Sequence, residues 1–534
     1  MQLAEKSAED QFAAQDFIDD LKATAGLSLP LTRGGRKNIL IGRIDSRPIA
    51  QALKRMNAVA PATLGEEGYV VFANVDQVIV AGNTTAGTFY GLQTLKQLVR
   101  GDGASAVIPA VKIVDWPTMR WRGVSDDISR GPVPTVDYIK KQIRTEAFFK
   151  MNLHSFYMEH TFASESNPLI APEGGSLTPA EIKEVVAYAR NYHVELVPEQ
   201  QTFGHLHKAL RLEKYAELAE TPNGDVLSPQ QPGTYKLIEE WYKELNELFP
   251  GQFFHIGEDE TFELGEGQSK TEAQAKGVGA VYFEHLNRVR NLLKPYNRRL
   301  MFWGDIALHH PDLIGNIPKD MIVMNWQYGA SDDYSKSINP FKNAGLQQFV
   351  CPGAHNWNQI FPNIEASSKN IVNFVRDGQQ VGALGMMNTT WDDDGESLFE
   401  MVWYPIVLGA AASWQQAPMD IENFDRSFDW SFFRADGDQF VRAIHGLGAI
   451  PTLLNPGTTD EIFWRDPFTT QFQDQARKMA EPFSSSRFLA ERALESLIKN
   501  DGKAQRNHAM LSAMRFAARR YDHLGRRYEV MKRF

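Results

Sequence analysis

Phe253-Phe-His-Ile-Gly-Glu-Asp-Glu-Thr261 places three carboxylates, Glu258, Asp259 and Glu260, directly after a short apolar run. Phe253 to Gly257 has the length and composition of a strand buried on both faces, the pattern of a parallel sheet covered by helices. Carboxylates crowded at the end of such a strand cannot all be ionised cheaply. At least one should have a raised pKa suited to a general acid, which is what cleavage of a glycosidic bond requires.

The same unit recurs outward in both directions. Apolar strands are expected at Trp121 to Ser125, Asn152 to Tyr157, Glu195 to Pro198, Leu300 to Trp303, Met321 to Trp326, Gln348 to Cys351 and Val381 to Asn388. Helical periodicity fills the gaps, as in Thr178 to Tyr192, Thr234 to Leu248 and Ala273 to Leu293. Eight strand-then-helix units predict a parallel (β/α)8 barrel, an α/β fold whose ligands sit at the carboxyl ends of the strands. A doubly wound open sheet is the alternative, but no glycine-rich phosphate loop follows the first strand, and polar residues gather after many different strands.

Before the barrel, alternating periods of 2 and 3.6 over Ala8 to Val114 indicate a small α/β domain closing with a strand at Val107 to Val114. Asp115-Trp-Pro breaks that pattern. After about residue 420 comes an aromatic stretch, Phe424 to Phe433, then helices through Asp438 to His445, Gln471 to Lys499 and Lys503 to Lys532. The expected domains are therefore 1–115, small α/β; 116–420, barrel; and 421–534, a helical C-terminal extension.

Composition narrows the function classes. The chain has 534 residues, 43% of them apolar, with 66 acidic against 56 basic groups and a net charge of −10, so a groove for nucleic acid is not expected. Its single cysteine, Cys351, excludes an intrachain disulfide framework and a thiolate zinc cluster. No window approaches the roughly 20 apolar residues of a membrane span. Met1-Gln-Leu-Ala-Glu-Lys lacks a basic stretch followed by an apolar core, which fits either a cytoplasmic protein or a periplasmic or secreted one whose signal peptide has been removed.

Further polar groups cluster at the predicted strand ends. Trp391-Asp-Asp-Asp394, Trp303-Gly-Asp305 and Trp326 combine indole faces with carboxylates, a pairing that suits a sugar ring with one apolar C–H face and a hydroxyl edge. Asp126-Asp-Ile-Ser-Arg130 supplies a cation beside acids, and Glu199-Gln-Gln-Thr-Phe-Gly-His205-Leu-His207 supplies two histidines. The two-residue spacing of His205 and His207, with no third ligand at a recognisable interval, does not make a zinc site, and no metal is expected.

On these residues the chain resembles the family 20 glycoside hydrolases, the β-N-acetylhexosaminidases, from the amino terminus to about residue 415. Glu67-Gly-Tyr to Gly91-Leu-Gln-Thr-Leu-Lys-Gln-Leu98 is similar to the small domain of that family. Trp121-Arg-Gly with Asp127-Ile-Ser-Arg130, Lys150-Met-Asn152, and Tyr188-Ala-Arg to Pro198-Glu199 with Gly204-His205 resemble its first three strands. His255-Ile-Gly-Glu-Asp259-Glu260 resembles its His-x-Gly-Gly-Asp-Glu signature.

The resemblance implies Glu260 as general acid and Asp259 as the group that orients the substrate's 2-acetamido arm, whose oxygen acts as nucleophile. It further implies that Arg130 binds ring hydroxyls, His205 supports the acid, and Trp303, Trp326 and Trp391 line the acetamido pocket with Asp305 beside them. Asp393 stands for the family's glutamate. The chain departs from the pattern at Glu258, a glycine in the signature; at Gln201 and Phe203, usually aspartate and proline; and in Ser155-Phe-Tyr-Met-Glu159-His160 after strand two. The family's tyrosine after strand seven has no evident counterpart in Cys351-Pro-Gly-Ala-His355-Asn-Trp357, where His355 or Trp357 can take its place.

The implied function is an exo-acting retaining hydrolase that removes terminal β-N-acetylhexosamine from a glycan or glycoconjugate. It needs no cofactor, because protons, water and the substrate's own amide suffice. Two alternatives stay open: a glycosidase of the same fold acting on a sugar without an acetamido group, with Glu258 as a specificity residue, and a barrel that binds glycans without cleaving them. The tail carries no recognised motif and leaves room for a homodimer.

Overall fold

The computed structural model describes residues 1–32, 38–61, 64–393, 396–454, 459–531 and 533. The small domain is a five-stranded sheet of β1 (Gln2–Leu3), β2 (Asn38–Arg43), β3 (Tyr69–Ala73), β4 (Gln77–Gly82) and β5 (Val111–Asp115), in the order β1-β2-β4-β3-β5. β3 and β4 form an antiparallel hairpin whose turn is tied by Asn74 Oδ1, which accepts from the N–H groups of Asp76 and Gln77. β5 begins later than the expected Val107, which only bridges Arg100. Pro109 intervenes and has no N–H to give to a ladder. Helices Ala8–Ala25 and Thr85–Leu98 cover one face of the sheet, capped at their starts by Ser7 and Thr84.

Eight strands follow and close on themselves: β6 (Trp121–Asp127), β7 (Leu153–Tyr157), β8 (Glu195–Glu199), β9 (Phe253–His255), β10 (Arg299–Trp303), β11 (Ile322–Trp326), β12 (Gln347–Cys351) and β13 (Gly385–Thr390). All pairings are parallel, and β13 closes the ring on β6 from Gly385↔Trp121 to Thr390↔Asp126. Inward-facing residues from successive strands, among them Trp121, Leu153, Val197, Phe253, Met301, Met324, Phe349 and Met387, fill the interior. This is the expected (β/α)8 barrel, preceded by an α/β domain and followed by helices.

Two boundaries move for local reasons. The last strand starts at Gly385 rather than Val381, because Val381 still ends the helix Ile364–Val381, which Gly382 stops in the left-handed region at φ 70°. The helix expected over Ala273 to Leu293 is two, Lys270–Lys276 and Val278–Leu293, broken at Gly277, where φ is 89°.

The C-terminal helices pack against the barrel's outer layer, burying Phe432, Phe433, Ile444, Leu447 and Tyr521 in one core with Ile364, Phe374 and Trp403. They reach both other parts of the chain. Tyr521 OH accepts the Phe361 N–H at 3.2 Å, while Trp430 Nε1 donates to Gln97 O at 2.8 Å and Arg434 donates to Val99 O at 3.1 Å. The last helix, His508–Met531, starts later than Lys503, and Lys532 lies outside the described residues. Among the described residues no helix is long and apolar enough to cross a membrane.

Candidate active site

β9 ends at His255, and the chain then turns sharply: φ is 74° at Gly257, 79° at Glu258 and 49° at Glu260. Left-handed backbone at two non-glycine residues is costly and persists only where the surroundings impose it. Here its effect is to point successive carboxylates in different directions. Asp259 and Glu260 face the open end of the barrel, where His205 Nε2 lies 3.2 Å from Asp259 Oδ2 and 3.4 Å from Glu260 Oε2. Asp259 is buried, whereas the Glu260 side chain is 42% exposed and so can reach a leaving group.

Charge at this pair is set by its neighbours. Burial alone would push the Asp259 carboxyl up, but the His205 cation and the Gln201 amide, whose Nε2 donates to Asp259 Oδ1 at 2.8 Å, hold it below the usual aspartate range. Burial likewise opposes a charge on His205, yet Asp259, Glu260 and Glu159 together hold its pKa well above the usual imidazole value. Asp259 is therefore an anion and His205 a cation at neutral pH. Asp305, pushed up to about 7 by burial and the Asp259 charge, accepts the Glu260 N–H at 3.0 Å and so braces the loop from behind.

Gln201 ties the loops together. Its Oε1 accepts the Glu258 N–H at 3.2 Å, and its Nε2 also reaches Tyr157 OH at 3.2 Å. Tyr157 in turn donates to Glu159 Oε1 at 3.0 Å. Deeper in the barrel, Glu199 accepts from Ser125 and Ser155, each at 2.9 Å, and burial pushes its pKa up to about 8. His255, 3.6 Å from Glu199, is pushed down to about 3 by burial and stays neutral.

Across the pocket Arg130 is held between two acids. Its Nε donates to Asp127 Oδ2 and its guanidinium pairs with Asp393 Oδ1, both at 2.8 Å, over the rings of Tyr157 and Trp391. An aromatic wall completes the site. Trp303 packs on His255 and on Trp391, Trp391 meets Tyr157 edge-on at 5.0 Å, and Tyr328 stacks between Trp326 at 4.9 Å and Trp357 at 4.8 Å. The Tyr328 hydroxyl accepts from Trp391 Nε1 at 2.6 Å and lies 3.1 Å from Thr389 Oγ1, whose single proton is also within reach of Pro352 O at 3.2 Å.

The structure thus brings Arg130, His205, Asp259, Glu260, Trp303, Asp305, Trp326, Trp357, Trp391 and Asp393 to one end of the barrel. His355 is there too, with its ring 4.9 Å from that of Trp357, and burial pushes its pKa down to about 4. Asp394 lies outside the described residues. Glu258 is the correction: its side chain turns away from the open end of the barrel into the protein, accepting from Thr202 Oγ1 at 2.5 Å and lying 3.6 Å from His285. The positive φ values on either side of Asp259 are the reason. Tyr157 and Tyr328 join the site without a motif of their own, although Tyr328 lies two residues beyond Trp326, on the same face by strand periodicity. A cavity of about 1170 Å³ opens at the opposite end of the barrel, lined by Trp116, Trp121, Asn152 and Glu195, away from these carboxylates.

Comparison with known proteins agrees with this geometry. Residues 119–426 match the glycosyl hydrolase family 20 catalytic domain, and residues 1–116 match domain 2 of the same family. The chain belongs to glycoside hydrolase family 20. Among relatives, the family 20 chain is 26% identical over 355 residues to a β-hexosaminidase of Porphyromonas gingivalis, covering 59% of this chain and 43% of that one. It is 30% identical over 266 residues to β-hexosaminidase subunit A2 of Dictyostelium discoideum, covering 46% of this chain and 48% of that one. In both cases the match spans less than half of the relative's length. The crystal structure of a Flavobacterium johnsoniae chitobiase shares the fold over 98% of this chain and 88% of that one, with a TM-score of 0.65 at 18% identity.

Proposed function

We propose that this family 20 enzyme is an exo-acting retaining hydrolase that removes terminal β-N-acetylhexosamine, using the substrate's own 2-acetamido group as nucleophile. The observation that carries this reading is the placement of both carboxylates on a single imidazole nitrogen, 3.2 and 3.4 Å away. A retaining enzyme with its own nucleophile sets two carboxyls about 5 Å apart on opposite sides of the scissile bond. Consecutive residues on one loop that share the His205 cation fit a proton donor and an orienting anion working side by side, with the attacking oxygen supplied by the sugar as the family resemblance implies.

In this reading Glu260 protonates the leaving oxygen and later takes the proton of the incoming water. Asp259, ionised, accepts the acetamido N–H and stabilises the positive charge that grows as the ring closes to an oxazolinium ion. The Tyr328 hydroxyl, after the sixth barrel strand, donates to the acetamido oxygen in this reading, in place of the family's tyrosine after the seventh. Trp303 and Trp391 enclose the methyl group, and Arg130 with Asp393 binds the hydroxyl edge. The inward turn of Glu258 removes the motive for reading it as a charge that selects a different sugar.

The test is proton NMR of the first product formed from 4-nitrophenyl β-N-acetylglucosaminide and the galactosamine analogue, with N-acetylglucosamine-thiazoline as inhibitor. The expected result is the β-anomer released first and competitive inhibition by the thiazoline. Release of the α-anomer, or hydrolysis untouched by saturating thiazoline, overturns the reading.

A further inference from the structure

Glu199, the last residue of β8, takes no part in the reaction as read above, yet it sits wholly buried beside His255, its register partner on β9. Its Oε2 meets the Ser125 and Ser155 hydroxyls at 2.9 Å each. Its Oε1 lies 3.6 Å from His255 Nε2, and neither of these two atoms has a hydrogen-bond partner among the described residues. At that separation they are neighbours rather than a hydrogen-bonded pair.

The hydrogen on the imidazole can be placed. His255 Nδ1 accepts the Gly257 N–H at 3.1 Å, so the neutral ring carries its hydrogen on Nε2. The group opposite Glu199 Oε1 is therefore a donor, and Oε1 can serve it only as an acceptor. A proton on this carboxyl belongs on Oε2, where either serine hydroxyl can rotate to accept it. Nothing close by favours the anion. The ionisable groups coupled to Glu199 are His255, Asp259, Tyr242 of helix Pro232–Leu248 and Cys351 of β12, none of them a cation at neutral pH, and Asp259 is itself negative. A buried carboxyl with no cation to pair with stays protonated. Its pKa accordingly rises to about 8, mainly through burial, against the pull of the two hydroxyls.

From His255 the contacts lead to the reacting centre. Gly257 opens the positive-φ turn that carries Asp259, and its carbonyl accepts the Trp303 N–H at 2.9 Å. The Trp303 ring packs on the His255 ring with centroids 4.6 Å apart. We propose that Glu199 is a positioning residue that acts as an uncharged acid, keeping the His255 ring where its Nδ1 holds the Gly257 N–H and its face supports Trp303. Ionised, the carboxyl would draw the Nε2–H in to the shorter length of a charge-assisted bond and pull the ring off both contacts. The proposal rests on the reading of Asp259 given above, because the turn that His255 holds is the one that aims Asp259.

The test compares wild type, Glu199→Gln and Glu199→Leu by steady-state kinetics from pH 5 to 9, on whichever 4-nitrophenyl glycoside, acetamido or plain, the wild type cleaves. Glutamine keeps the shape and the acceptor oxygen but cannot ionise, and leucine removes both polar atoms. At pH 6 the kcat of Glu199→Gln is expected within about threefold of wild type, and its ratio to wild type should rise by at least about threefold between pH 7 and 9, where the wild-type carboxyl ionises. Glu199→Leu should lose at least about tenfold in kcat at every pH, with KM within about threefold. A glutamine enzyme more than about threefold slower at pH 6 would mean that the charge is needed, and overturns the proposal. A ratio that does not rise between pH 7 and 9, or a leucine enzyme with wild-type kcat, overturns it as well. Should the leucine variant not fold, the glutamine ratio decides alone. Failure of the acetamido reading would show in the wild type's choice of substrate, and failure of this proposal in the ratio of variant to wild type.

Discussion

At the scale of single residues, His205 sets the protonation of the site. Its charge helps hold Asp259 below the usual aspartate range, so removing that charge must raise the aspartate's pKa. We expect His205→Asn to lower kcat by about 10² and to move the acidic limb of the kcat/KM profile to higher pH, measured on a chromogenic acetamido sugar between pH 3 and 8. Glu258 gives a separate prediction for stability. Burial raises its pKa from 4.5 to about 8, with a smaller push from Asp259, so the folded state binds the extra proton between those values. Stability then falls as pH rises from about 4.5 to 8. Glu258→Gln removes that loss: relative to wild type its Tm should rise by a few degrees at pH 8 to 9 and change little at pH 5, with activity retained. Loss of activity without a pH-dependent Tm difference would return Glu258 to the pocket. Asp259 and Glu260 were legible as candidates because a run of acids after a buried strand is chemically conspicuous, while their separate roles are those the family resemblance implies. The direction of Glu258 was not, because it depends on φ signs that residue types do not encode.

At the scale of elements, the catalytic loop depends on one glycine. A Cβ at Gly257 would sit 1.8 Å from Gln201 Oε1, and its φ of 74° disfavours any side chain. Gly257→Ala should therefore displace Gln201 and with it Asp259, costing about 1–3 kcal/mol in urea unfolding and at least about tenfold in kcat. A variant of wild-type stability and rate would mean that Gln201 does not position Asp259. The eight barrel strands were legible as short apolar runs because both faces of each are covered, from Trp121 to Thr390. Their ends were less so. The start of β13 is decided by where Gly382 stops the preceding helix, and the late start of β5 by a single proline.

At the scale of the whole molecule, the tail forms part of the fold. Phe432, Phe433, Ile444 and Tyr521 share a core with the barrel helices, and Trp430 and Arg434 reach the small domain's carbonyls. Truncation after residue 420 would expose Ile364, Phe374 and Trp403, so we expect an insoluble or molten product rather than a smaller active enzyme, as read by near-UV circular dichroism and gel filtration. A cooperatively folded, active truncation would show that the barrel stands alone. Helical periodicity revealed that the tail is helical. It could not reveal where the helices dock, because the contacts join residues far apart in sequence, such as Phe361 with Tyr521.

The central claim is that Asp259 works on an acetamido group of the substrate. It is tested most directly by steady-state kinetics of wild type and Asp259→Asn on 4-nitrophenyl β-N-acetylglucosaminide and on the matching β-glucoside. The expected result is wild-type cleavage of the acetamido sugar at a kcat/KM at least about 10³ above the glucoside, and a loss of about 10² to 10³ in kcat in Asp259→Asn. Equal or better cleavage of the glucoside, or an Asp259→Asn enzyme with unchanged kcat, would contradict it.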